Sequence, residues 1–288
     1  MTIKHLVLSG GAMNVIDLIG ALYQAMDEKI FTRENISSVY GTSAGGIALF
    51  IWLLGFNKDE IFSYIINKPW YKTLNLKPNI LANIFNKKGV VNIDFMYSIV
   101  TSLLKGKSLD VNIKFKDFFK FTNIELNIIA SEADTLNTVC LNHINDPDLP
   151  VIEALYMSAS IPIIMQPKYY KGKYIVDGFL SHNYPIIPCL ESGVNSDEIL
   201  GIRIVRKINN VITEEASILS YIYILMKNIV EKINVTNYKK ITNEIIIYVD
   251  DKEKLENVLK SKETREKLIE NGVKCIKTYL DNRVKECI

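Results

Sequence analysis

Apolar residues along this chain fall into two rhythms: short dense runs, and longer stretches in which they recur every three or four positions. Ile3, Leu6, Val7 and Leu8 make the first run, which stops at Ser9-Gly10-Gly11 and predicts a buried strand ending in a glycine turn. Val15, Ile19, Leu22, Met26 and Ile30 follow at helical spacing, with Asp17, Gln24, Asp27 and Glu28 between them. That pattern is an amphipathic helix with one face for a core. The β-prone run Ser37-Ser38-Val39-Tyr40 then leads through Gly41-Thr42-Ser43-Ala44-Gly45 into an apolar helix from Gly46 onward. Strand, helix and strand in this order form a βαβ unit, whose parallel strands need cover on both faces of the sheet.

Further along, the same rhythms predict helices over 59–67, 92–104, 149–157 and 214–232, and strands over 125–130, 138–141, 199–205 and 245–249. Residues 168–176 alternate about Gly172 and predict a hairpin that runs into Asp177-Gly178. Residues 57–120 carry the weakest pattern and read as an insertion or cap over the sheet. Pro69 and Pro78 bracket a loop with Trp70 and Tyr71 there, and Phe115, Phe118, Phe119 and the adjoining Phe121 read as core. Residues 251–288 read as charged helix, with Ile269, Val273, Ile276, Leu280 and Val284 as its packing face and Gly272 as a candidate kink. No repeat or low-complexity linker divides the 288 residues. They read as a single domain with a motif-bearing core over 3–205 and a helical C-terminal extension over 251–288.

Composition narrows the class. Hydrophobic residues at 48% and charged ones at 23% describe a globular protein. A formal charge of +2 without a basic block argues against nucleic acid as a partner. Cys140, Cys189, Cys275 and Cys287 show no C-x-x-C spacing, so they read as reduced thiols in a cytoplasmic protein and offer no zinc site. No signal peptide is evident at the start, and the longest apolar stretch, 44–56, is shorter than the roughly 20 residues that span a bilayer. The expectation is a soluble protein whose contact with membranes is peripheral.

Candidate chemistry centres on Ser43. G-x-S-x-G between a strand and a helix is the setting of a nucleophile elbow, in which the serine stands at the tip near a helix N-terminus that favours an anion. The competing reading is a tight turn with a serine N-cap. A serine nucleophile also needs a site for the oxyanion and a base. The turn Ser9-Gly10-Gly11-Ala12-Met13 follows a parallel strand and is able to present consecutive backbone N–H groups. Val15 breaks the dinucleotide pattern G-x-G-x-x-G there, and no G-K-[ST] follows any glycine run. For the base there are three histidines, His5, His143 and His182. His182 lies after Asp177 and gives the chain order of a Ser-Asp-His triad.

Four blocks in order now carry a resemblance: LVLSGGA at 6–12, GTSAGG at 41–46, SASIPIIMQP at 158–167 and VDGFLSHNYP at 176–185. The chain resembles the patatin-like phospholipases, lipid acyl hydrolases that use a Ser–Asp dyad. The resemblance implies a three-layer α/β/α fold with a mostly parallel central sheet. It implies Ser43 as nucleophile, Asp177 as base, and Gly10, Gly11 and Ala12 as the oxyanion hole, with Gly41, Gly45 and Gly178 supporting the motifs. The implied reaction is hydrolysis of phospholipid or other acyl-lipid esters through an acyl-enzyme, without cofactor or metal. An aspartate base near its ordinary pKa is weak, so burial that raises it suits this role. Trp52, Trp70, Tyr71 and the Phe115 to Phe121 cluster are the candidate lipid contacts, although each reads first as core.

Three positions depart from the family pattern. Ala12 stands where a third glycine is usual, Asn14 where a basic residue is usual, and Phe179 where a small residue is usual. They keep a second reading open, a patatin fold that binds lipid without turnover, beside the triad esterase using His182.

Overall fold

The computed structural model describes residues 2–73, 86–206, 212, 214–236, 239–249 and 255–286; Pro78, Cys287 and positions 251–254 of the predicted terminal helix lie outside them. The first half of the chain forms β1 (His5–Leu8), α1 (Val15–Asp27), β2 (Ser38–Thr42), α2 (Ala44–Leu53), α3 (Lys58–Asn67), β3 (Gly89–Val91), α4 (Asp94–Gly106), α5 (Phe115–Thr122), β4 (Glu125–Glu132) and β5 (Thr138–Leu141). The second half forms α6 (Val151–Ser158), β6 (Ile163–Met165), β7 (Lys168–Tyr170), β8 (Lys173–Asp177), α7 (Phe179–His182), α8 (Ile186–Glu191), β9 (Ile199–Arg206), α9 (Ile218–Thr236), β10 (Asn243–Val249), α10 (Leu255–Lys260) and α11 (Lys262–Glu286).

One sheet runs in the order β10-β9-β1-β2-β4-β8-β7, with β5 also paired to β4. The five strands from β10 to β4 are parallel, and β5, β7 and β8 are antiparallel additions at the far side. Successive side chains of a strand point to opposite faces, and the core divides accordingly. Leu6, Leu8, Val39, Leu126, Ile128, Leu200 and Ile202 join a large cluster with residues of α1, α2 and α11. Val7, Tyr40 and Ile199 point the other way and pack with Ile186 and Cys189 of α8. Helices therefore cover both faces of a mostly parallel sheet, as the βαβ reading requires.

Two expectations change. The described residues of 57–120 do not form a separate cap: Ile61, Ile65, Met96, Val100, Leu103, Leu104, Phe115 and Phe118 all belong to the main core. Their apolar residues are helical, but turns and the ends of α3, α4 and α5 interrupt the rhythm. Gly272 does not kink the terminal helix either, since α11 runs unbroken from Lys262 to Glu286. A Cβ on Gly272 would lie 2.0 Å from the carbonyl oxygen of Asp17, and one on Gly20 would lie 2.5 Å from that of Ile269. The two glycines let α1 and α11 touch backbone to backbone, with Ile269 and Ile276 buried beside them.

The candidate lipid contacts divide between core and surface. Trp52 is 1% exposed and belongs to the core, edge-on to Phe31. Phe115 and Phe118 are buried as predicted, while Phe119 stacks on His143 and Phe121 and Tyr71 are exposed. Among the described residues an exposed apolar stripe lies elsewhere. Ile218, Tyr221, Ile222, Leu225 and Ile229 of α9 recur at helical spacing and are between 37% and 68% exposed. α9 packs against α7, the short helix that follows Asp177. Among the described residues no helix is long and apolar enough to cross a membrane.

Candidate active site

Ser43 joins β2 directly to α2 with φ 50° and ψ −119°, a conformation that costs about 1–3 kcal/mol for a residue with a side chain. The surroundings enforce it. A Cβ on Gly45 would come within 2.4 Å of the Leu8 carbonyl, and one on Gly41 within 2.5 Å of the Gly46 nitrogen, so the turn closes only with glycine at both places. Thr42 Oγ1 donates to the His182 carbonyl at 2.7 Å and ties the elbow to α7. The Ser43 N–H donates to Ser158 Oγ at 2.7 Å, and Ser158 Oγ donates to the Ile129 carbonyl at 2.5 Å. The backbone donor of Ser43 is thus engaged by Ser158, a residue inside the third sequence block to which no role had been given.

Register brings the aspartate to the serine. Thr42 pairs with Ile129 across β2 and β4, and Ala130 pairs with Asp177 across β4 and β8. Residues 43 and 177 therefore stand at one level of the sheet with β4 between them. Ser43 Oγ donates to Asp177 Oδ2 at 2.8 Å, and the Phe179 N–H donates to Oδ1 at 2.9 Å. Phe179 enters the site through this backbone donor. Gly178 has no room for a side chain, because a Cβ there would lie 2.3 Å from the Ile129 carbonyl. Asp177 is 1% exposed, and desolvation pushes its pKa up to about 7 against the opposing hydrogen bonds from Phe179 and Ser43.

The histidines are occupied elsewhere. His5 Nδ1 bonds Ser38 Oγ at 2.8 Å, His143 stacks on Phe119, and His182 Nδ1 bonds Thr138 Oγ1 at 2.8 Å. Burial lowers the pKa of both His5 and His182.

The glycine turn after β1 lies against the serine: a Cβ on Gly10 would be 3.6 Å from Ser43 Cβ. Its donors differ from the expected three. The Gly10 N–H is already donated to the Asn183 carbonyl at 2.8 Å. Among the described residues no hydrogen bond engages the N–H of Gly11 or of Ala12. Ala12 has φ 49°, so the position does call for the left-handed region, and alanine there costs roughly 1 kcal/mol more than glycine.

A family model described as patatin-like phospholipase matches residues 6–190. The chain belongs to this family. A relative from invertebrate iridescent virus 6, named "Probable lipid hydrolase 463L", is 30% identical over 183 residues, which is 64% of this chain and 62% of that protein. An uncharacterized protein of Acanthamoeba polyphaga mimivirus is 27% identical over 184 residues, 64% of this chain and 60% of its own length. The matches thus span about three fifths of these curated relatives. Among solved structures, VipD from Legionella pneumophila superposes with a TM-score of 0.57 at 17% identity, covering 98% of this chain and 67% of that one. The type III effector ExoU gives 0.51 at 14% identity, covering 98% and 53%. These likenesses show the fold, and they extend over β9 to α11, which the family model leaves out.

Proposed function

We propose that the chain is a serine-dependent lipid acyl hydrolase of the phospholipase A or lysophospholipase type. The observation that carries this reading is the 2.8 Å hydrogen bond from the strained, glycine-flanked Ser43 hydroxyl to a buried Asp177. In the first step Ser43 Oγ attacks the ester carbonyl carbon while Asp177 Oδ2 takes its proton. Charge collects on the carbonyl oxygen, and the N–H groups of Gly11 and Ala12 receive it. The tetrahedral centre collapses, the bond to the alcohol oxygen breaks, and the proton on Asp177 passes to that leaving oxygen. Water, deprotonated by Asp177, then attacks the acyl-enzyme; the fatty acid departs and Ser43 recovers its proton. A carboxylate whose pKa is near 7 suits both transfers at neutral pH.

The substrate is a phospholipid or another acyl lipid, met at a surface. The apolar stripe of α9 fits that encounter, since it adjoins α7, and Lys232, Lys239 and Lys240 are exposed near its C-terminal end and complement anionic headgroups. The free thiols of Cys140, Cys189 and Cys275 fit a reducing, cytoplasmic setting.

Labelling with a fluorophosphonate, alongside ester hydrolysis, tests the chemistry. Wild type is expected to label and Ser43→Ala to lose the label. Asp177→Asn should lose about 10³-fold or more in kcat, while His182→Ala keeps turnover within a few fold. Turnover lost in His182→Ala with the fold intact would favour the triad instead. A wild type that neither labels nor hydrolyses would leave the lipid-binding reading.

A further inference from the structure

The turn after β1 is braced from outside the segment that the family model matches. Arg206, the last residue of β9, donates from Nη2 to the Gly11 carbonyl at 2.8 Å and to Asn14 Oδ1 at 3.0 Å. Asn14 passes the contact on: its Nδ2 donates to Asp17 Oδ2 at 3.0 Å, and Asp17 Oδ1 accepts from Asn271 Nδ2 of α11 at 2.7 Å. Asp17 is wholly shielded from solvent. The Asn14 N–H adds a second bond to the Gly11 carbonyl at 3.0 Å. Two donors, one of them a guanidinium, converge on a single peptide oxygen.

That oxygen belongs to the same peptide group as the Ala12 N–H. A cation bonded to a peptide oxygen draws electron density toward it and makes the N–H of that group a stronger donor. It also holds the peptide plane against rotation, next to a residue whose φ of 49° alanine does not favour. Position 14 is a neutral asparagine, so the positive charge at this turn comes from 195 positions along the chain from Gly11. We propose that Arg206 is a positioning residue for the oxyanion site, orienting and polarising the peptide that joins Gly11 to Ala12 so that the Ala12 N–H meets the developing oxyanion. The chain of contacts from Asn14 through Asp17 to Asn271 holds its anchor in place. This role rests on the hydrolase reading above.

The test compares wild type, Arg206→Gln, Arg206→Lys and the double variant Asn14→Arg with Arg206→Gln on a soluble p-nitrophenyl ester. Thermal unfolding and the amide proton shift of isotope-labelled Ala12 are read in parallel. Arg206→Gln is expected to lower kcat about 10- to 100-fold with KM little changed, to move the Ala12 amide upfield, and to keep Tm within a few degrees. Arg206→Lys and the double variant should each recover part of kcat, which a merely structural role would not produce. An Ala12 resonance that stays in place in Arg206→Gln overturns the proposal, as does a kcat within about threefold of wild type. Should Arg206→Gln fail to fold, Arg206→Lys carries the test: an intermediate kcat and shift support the role, and wild-type values of both overturn it. A wild type without Ser43-dependent turnover sinks the hydrolase reading by itself, and the Ala12 shift still decides whether Arg206 polarises the turn.

Discussion

Asp177 is asked to be both buried and charged. Burial raises its pKa to about 7, so kcat/KM on a soluble ester is expected to climb about tenfold per pH unit in acid and to level off above pH 7. Stability runs the opposite way. The folded pKa lies above the ordinary aspartate value of 3.8, so the folded state holds the proton more tightly; the associated stability is full below that value and is lost as pH rises through 7. Wild type should therefore melt lower at pH 8 than at pH 5, and Asp177→Asn should remove part of that decline. Asp17, which burial pushes up to about 6, supplies a further part that remains. Melting curves for Asp177→Asn that shift with pH as wild type does would contradict this account. Ser43 and Asp177 were legible in the sequence because each sits in a glycine-bearing motif whose neighbours permit one backbone shape. Ser158 and Arg206 were not, since each acts through hydrogen bonds across 115 and 195 positions, where local pattern carries no signal.

At the scale of elements, the apolar rhythm located most helices and strands, and local chemistry explains where the ends moved. The helix expected over 214–232 begins at Ile218 because Ser217 Oγ accepts from the Ser220 N–H and caps it. The helix expected from 149 begins at Val151, after Pro150. Tertiary closeness is what the rhythm could not convey. Gly272 looks like a defect in a helix read alone, yet it is the point at which α11 meets the Asp17 carbonyl of α1. Gly272→Ala must push the two helices apart and disturb the bond from Asn271 to Asp17. A loss of about 1–3 kcal/mol is expected, read as a lower midpoint in urea at unchanged m. A neutral Gly272→Ala would mean that the helices tolerate a wider spacing. For the helix over 214–232 the sequence reading named no face, and only exposure marks Ile218, Tyr221, Ile222, Leu225 and Ile229 as a surface stripe and not a core one.

At the scale of the whole molecule, that stripe and the candidate site adjoin through α7. A surface that holds α9 would hold the site near lipid, so binding and chemistry should come apart on mutation. Leu225→Glu, or Ile222→Glu, is expected to weaken binding to anionic phospholipid vesicles about tenfold and to slow vesicle hydrolysis, while soluble-ester turnover stays as in wild type. Equal loss on both substrates would show that α9 supports the site and not the docking. The central place of β1 carries a different consequence. One neighbour, β2, follows it closely, but the other is β9, with His5 paired to Ile199. As the polypeptide leaves the ribosome, Ser43 and Asp177 are both made before β9 exists. Until that late strand docks, β1 is an open sheet edge, and Arg206 is not there to grip the Gly11 carbonyl. Pairing over so long a loop is slow to form. On the proposed reading the nascent chain therefore carries Ser43 in an unfinished site, which is complete only once folding has joined distant parts of the chain.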